Sequence, residues 1–322
     1  MMKRIQRLAL VLLLGLAAGS SFAQNYPSKP VRIIVPFLPG GGVDVLGRAF
    51  AQKFTEAWGQ QFIVDNRAGA GGNIGADAVA KSAPDGYTLL VTTAGLAVAP
   101  GLYRKLPFDA IKDFAPTTQV ISTYLVLAVN PRMPGTFKEL IALAKSHPGT
   151  LNFGHTGLGS GPHIAGEMLR AAAAINIVMV PYKGDAQAVP ALLSNEVQLE
   201  FPNPTTAVQL VKSGKLRALA VTGTSRGGAF PDVPTTAELG YPDINYVGWV
   251  SFFAPAGTPH DILEEISSET ARALRMPDIV ERLPGWGGEA AGTTPAQFAA
   301  KYRADIARYT KIIREGNIPL VD

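Results

Sequence analysis

Three consecutive glycines, Gly40-Gly41-Gly42, follow Pro39 and come just before Asp44. Glycine accepts backbone angles that other residues resist, and it lets a bound group approach the main chain closely. If such a turn feeds a helix, the first backbone N–H groups of that helix have no internal partner and point outward at its positive dipole end. The chemistry on offer is therefore anion binding without a cationic side chain. Asp44 would either cap the helix or orient a water. A second turn of the same kind is Gly154-His155-Thr156-Gly157-Leu158-Gly159-Ser160-Gly161. Its His155, with His163 just beyond, would be a turn residue and a satisfied helix-start residue, or would hydrogen-bond a ligand or a loop-ordering water.

The elements that position these turns are readable from periodicity. Residues 31–37 form a short β-branched and apolar run, the pattern of a buried strand. In residues 43–58, Leu46, Ala49, Phe50, Phe54 and Trp58 recur at helical spacing. Further strands are expected at 61–65 and 87–93, with a helix over 73–82 between them. The order then repeats: strand 151–153, the second glycine turn, a helix opened by Pro162, strand 176–180, helix 186–194 and strand 197–201. Strands alternating with helices imply βαβ units and a mostly parallel sheet. Two such halves point to an α/β protein of two lobes, each a sheet flanked by helices, with a cleft between. Lobe one takes residues 24–126 plus 226–322 and lobe two takes 127–225. The last third adds a strand-like run at 246–254, a helix over 258–275, and a final helix opened by the capping box Thr294-Pro295-Ala296-Gln297. Phe298, Tyr302, Ile306, Tyr309 and Ile313 share a face of that last helix. These helices should pack back on lobe one, so the chain crosses between lobes twice, and such crossings act as hinges.

Other motifs point to less. Gly69-Ala70-Gly71-Gly72-Asn73-Ile74-Gly75 mimics a dinucleotide fingerprint, yet the next strand ends Val91-Thr92-Thr93 without the acid that would hold a ribose. Ser160 lacks the glycine two positions before it that a nucleophile elbow needs. The four histidines show no metal-ligand spacing. Tyr182 follows a strand, at the sheet edge where open α/β sheets bind ligands, and is a candidate cleft wall. Lys183 is either solvated or a counter-ion. Thr92, Thr93 and Asn203 sit at other strand ends facing the same rim, or else cap helices and close turns.

Bulk properties bound the setting. Residues 1–23 read as a secretory signal peptide cleaved after Ala23: Lys3, Arg4 and Arg7, then an apolar core, then Ser21-Phe22-Ala23. The net charge of +4, less those three, leaves about +1 and no basic excess for nucleic acid. Without cysteine there are no disulfides, zinc thiolates or thiol nucleophiles.

Several runs together resemble the Bug-type (TctC-like) receptors, the periplasmic solute-binding proteins of tripartite tricarboxylate transporters. They are Tyr26 to Pro30, Pro36 to Asp44, Asn66 to Gly72, Pro84 to Leu90, Val180 to Gly184, Pro231 to Thr235 and Ala254 to Pro259. The resemblance implies a type II Venus-flytrap fold, a periplasmic monomer, no catalysis and no cofactor. It implies a small carboxylate held between two strand–loop–helix units, partly through waters, and delivered to membrane transporter subunits. By position it points to Phe37, Gly41, Gly42 and Asp44 in lobe one, and to His155, Thr156, Gly159 and Ser160 in lobe two. Thr92, Tyr182 and Asn203 complete the expected ligand-binding set. Members often carry Gly-Gly before the strand at Val197, where this chain has Ser194-Asn195-Glu196. They often carry an Asp just after that strand, where this chain has Pro202-Asn203-Pro204. An Asp in the cleft suits a ligand amine, so its absence there turns the expectation toward a carboxylate without one. The competing readings are a ligand sensor of the same fold and a secreted serine hydrolase using Ser160 and a histidine.

Overall fold

The computed structural model describes residues 26–182 and 184–322. The leader read at residues 1–23 and Lys183 lie outside the described residues. Two sheets form the frame. The first contains β1 (Val31–Val35), β2 (Phe62–Asn66), β3 (Thr88–Thr93), β4 (Phe114–Thr123), β10 (Gly248–Pro255) and β11 (Gly288–Ala290), in the order β11-β4-β10-β3-β1-β2. The second contains β5 (Val126–Val129), β6 (Asn152–His155), β7 (Val178–Pro181), β8 (Leu199–Glu200) and β9 (Arg217–Val221), in the order β7-β6-β8-β5-β9. The βαβ strands are parallel in both sheets: β1 with β2 and β3, and β6 with β7 and β8. Each sheet also takes antiparallel strands, β10 and β11 in the first and β5 beside β8 and β9 in the second. The sheets are thus mixed, because the strands next to each crossing run back against their neighbours.

Helices α1 (Gly42–Trp58), α2 (Asn73–Ala80) and α3 (Gly95–Leu102) follow β1, β2 and β3. In lobe two, α4 (Phe137–Ser146), α5 (Gly161–Ala173), α6 (Asp185–Ser194) and α7 (Pro204–Lys212) flank the second sheet. The chain ends with α8 (His260–Ala273), the short α9 (Pro277–Val280) and α10 (Leu283–Trp286), and α11 (Pro295–Glu315). Among the described residues no helix is long and apolar enough to cross a membrane.

The apolar spacing of α1 buries Leu46, Phe50 and Phe54 against Phe62 and Phe252. Gly59 ends the helix in a left-handed turn, its N–H bonded to the Thr55 carbonyl. Each buried phenylalanine contributes about 1.5–3 kcal/mol, so α1 is anchored firmly enough to hold a glycine turn at its mouth. In α11 the expected capping box forms between Thr294 and Gln297, and all five expected face residues are buried.

The chain passes from the first sheet to the second between β4 and β5 and returns between β9 and β10. The Thr222 hydroxyl stitches the two passages: it accepts from the Leu125 N–H (3.0 Å) and donates to the Tyr246 carbonyl (2.6 Å). The second crossing lies later than residue 226, where it was expected. The intervening chain stays with lobe two, as Val221 bonds Pro234 and Thr236 through the backbone and Tyr241 packs on Phe137. Nor does α11 rest on lobe one alone. Its Tyr309 and Ile313 share one apolar cluster with Val98 and Leu102 of α3 and with Ile164 and Met168 of α5.

Candidate ligand-binding site

A cavity of about 700 Å³ opens between the lobes, and both glycine turns line it. Helix starts dominate its wall. Gly42, Asn73, Gly95, Gly161 and Asp185 are the first residues of α1, α2, α3, α5 and α6, and Thr205 is the second of α7; all six line the cavity. Only α5 has a cap residue whose side chain bonds its first turn: Ser160 Oγ accepts the His163 N–H. Of the other five, α3 has its Gly95 N–H taken by Thr93 Oγ1 (3.3 Å) and α2 has its Asn73 N–H bonded to the Ala70 carbonyl. Helices α1, α6 and α7 have no side-chain cap hydrogen bond, so positive dipole ends still converge on one space. Among the described residues no Lys or Arg lines it, and Asp185 is the one acid. Leu46, Val98, Leu102, Ile121, Trp249 and Trp286 supply apolar wall. Such an arrangement stabilises an anion with an apolar body.

In lobe one, Asp44 does not cap its own helix. Its Oδ2 accepts from the Gly40 N–H (2.9 Å) and from Arg48 Nε (3.0 Å), and its Oδ1 accepts from Asn66 Nδ2 (2.9 Å). Burial alone would raise this carboxyl, but the bonds from Arg48, Gly40 and Asn66 outweigh it and hold the group below its ordinary value. Asp44 is 2% exposed and stands behind the turn rather than in the cavity wall.

In lobe two the turn is held by imidazoles. His155 and His163 stack with ring centroids 4.5 Å apart, both buried. His155 Nδ1–H donates to the Gly157 carbonyl (3.1 Å), and the Gly159 N–H donates to His163 Nδ1 (3.1 Å). These partners fix both tautomers. Burial holds both rings below the usual imidazole value; for His163 the neighbouring His155 and then the positive charge of Arg170 add to it, bringing it down to about 3. Beyond them Glu167 pairs with Arg170 at 2.6 Å. Ser160 Oγ accepts the His163 backbone N–H and both imidazoles bond main-chain groups of the turn through Nδ1. Among the described residues no group of three or more His, Asp or Glu side chains is placed to hold a metal.

Of the residues singled out in the sequence, Phe37, Gly41, Gly42, Thr156, Gly159, Ser160 and Asn203 line the cavity. Asp44 and His155 brace the two turns from behind. Thr92 is buried beside Ser251 of β10, and Thr93 lines the cavity in its place; adjacent strand residues face opposite ways. Tyr182 lies off the cavity wall, its hydroxyl donating to Glu196 Oε1 (2.9 Å). No acid follows β8, where the sequence has Pro202-Asn203-Pro204, but Asp185, which the sequence reading did not single out, reaches the cavity from the start of α6. The sequence reading also missed α3, whose Gly95, Val98 and Leu102 form one wall. Its signal was there, since Gly95 follows strand β3 as Gly42 follows β1.

Known proteins share this architecture. The family model described as "Tripartite tricarboxylate transporter family receptor" matches residues 46–318. Protein BugT of Bordetella pertussis is 40% identical over 306 residues, 94% of this chain and 93% of that one. An adipate-bound protein of R. palustris superposes with a TM-score of 0.82 at 33% identity, covering 92% of this chain and all of that one (100%). The malate-bound MatC of Rhodopseudomonas palustris gives 0.77 at 30% identity, covering 89% and 100%.

Proposed function

Because the chain belongs to the tripartite tricarboxylate transporter receptors, as a Bug-type, TctC-like member with the two-lobe fold of periplasmic binding proteins, we propose that it is a non-catalytic periplasmic receptor. It captures a small carboxylate in the inter-lobe cleft and hands it to the membrane subunits of a transporter of that type. One observation carries the reading: six helix starts converge on a single cavity whose described lining holds no Lys or Arg. Each exposed dipole is worth about 0.3–1 kcal/mol to an anion. Charged hydrogen bonds add about 1.5–3 kcal/mol each. A few of both reach the roughly −8 kcal/mol of a micromolar complex after ordering costs. The carboxylates bound in the adipate and malate neighbours point the same way.

Isothermal titration of the mature chain, stripped of carried-over ligand by unfolding and refolding, tests this. A panel of mono-, di- and tricarboxylates, amino acids included, should contain at least one micromolar binder. Silence across the whole panel overturns the reading.

A further inference from the structure

Asp185 is the single acid on a described wall otherwise built to hold an anion. Its Oδ2 accepts from Thr206 Oγ1 (3.1 Å) and Asn203 Nδ2 (3.4 Å), both from the start of α7, which hold it at the lobe-two side of the cavity. Next to it lies a second carboxyl. Glu200, the last residue of β8, is fully buried, and among the described residues neither of its oxygens has a hydrogen-bond partner. Burial and the negative charge of Asp185 push its carboxyl up to about 8, so it stays protonated near neutrality and leaves Asp185 as the charged member of this pair of acids. A second anion arriving here meets like charge, whereas a cation meets its complement. In lobe one the uncapped start of α1 at Gly41-Gly42 suits a carboxylate, and Val98, Leu102, Ile121 and Trp249 make the wall between apolar.

We propose that the preferred ligand is a zwitterion: a carboxylate joined through an apolar body to an ammonium group that seats against Asp185. This names the ligand class of the cleft and rests on the receptor reading above. It also reverses the sequence expectation, because the missing acid after β8 is supplied from α6.

Three probes of equal length separate the possibilities: hexanoate, 6-aminohexanoate and adipate, titrated calorimetrically into the stripped wild-type chain and into Asp185→Asn. The wild type should bind 6-aminohexanoate at least about tenfold more tightly than either of the others. Asp185→Asn should erase that preference by weakening 6-aminohexanoate and strengthening adipate. Adipate or hexanoate binding the wild type as tightly as 6-aminohexanoate overturns the proposal, and so does an unchanged ranking in a variant whose thermal unfolding matches the wild type. The wild-type ranking stands by itself if the variant does not fold. Binding of other carboxylates without 6-aminohexanoate sinks only the zwitterion, whereas silence from every carboxylate sinks the receptor reading with it.

Discussion

In lobe one the glycine turn is held by an ionised carboxylate, and in lobe two by a pair of neutral imidazoles. Asp44 takes the Gly40 N–H, and His163 takes the Gly159 N–H. In each case one of the turn's own donors is spent on shaping it, which leaves the helix starts beyond to meet a ligand. The packing differs as well. A Cβ at Gly41 would meet nothing closer than the Leu38 carbonyl at 3.6 Å. A Cβ at Gly159 would fall 2.2 Å from Leu102 of the other lobe, on a backbone with φ of +75°. The lobe-one turn is therefore open toward the cavity, while the lobe-two turn is also an inter-lobe contact. Cleft geometry should depend on the second far more than on the first.

The largest effect expected is at Gly159. Gly159→Val needs a left-handed angle that a β-branched residue resists, and it drives a side chain into α3. It should cost about 2–4 kcal/mol of stability and weaken the best carboxylate of the panel by about a hundredfold. Gly41→Ala, with an ordinary φ of −74°, should stay within about 0.5 kcal/mol and within about threefold in affinity. Urea unfolding and calorimetry on both variants measure these quantities. Equal losses at the two positions would erase the proposed asymmetry.

What could be read beforehand follows from how local each signal is. Helices α1 and α11 were legible because an apolar face and a cap or capping box agree within one segment. Helix α3 was not, since Leu96, Ala97, Val98, Ala99 and Leu102 are all buried and Pro100 sits inside it, so no polar face marks its period. Thr92 and Thr93 end a strand buried on both sides, where alternation gives no phase. The segment after Arg226 returns to lobe two through irregular backbone, which has no period to read. Asp185 is only an acid after a glycine until the start of α6 is folded against the cleft. The stacking of His155 on His163 depends on where a strand end meets a helix start, a geometry that spacing alone does not specify.

A smaller effect is expected when the charged brace is neutralised. Asp44→Asn keeps the shape but loses the charge that accepts from Gly40 and Arg48 while 2% exposed. The loss should be about 2–3 kcal/mol in unfolding free energy. Arg48→Ala should cost under about 1 kcal/mol, because its side chain is 53% exposed and its ion pair is screened. If Arg48→Ala costs as much as Asp44→Asn, the brace is the ion pair and not the bonds to Gly40 and Asn66.

The smallest effect distinguishes the two braces by pH. His155 and His163 are held neutral in the fold, His163 down to about 3. In the unfolded chain both take up protons below about 6.5. Their stabilising contribution is therefore complete above that value and is lost as pH falls toward the folded one, at about 1.4 kcal/mol per pH unit for each group. Asp44, with a lowered carboxyl, loses its contribution only further down, as pH falls below the ordinary carboxylate value. Glu200 runs the other way: its raised carboxyl makes stability fall as pH rises from about 4.5 to about 8. The decisive quantity is thus the difference between wild type and His163→Asn, in which every other group cancels to first order. Asn Oδ1 can still accept the Gly159 N–H but does not titrate. Between about pH 6 and pH 4.5 the variant's unfolding free energy should fall less steeply, by about 1.4 kcal/mol per pH unit. Parallel curves would mean that His163 takes a proton in the folded protein without cost. The lobe-two turn would then be braced by a charge, as the lobe-one turn is.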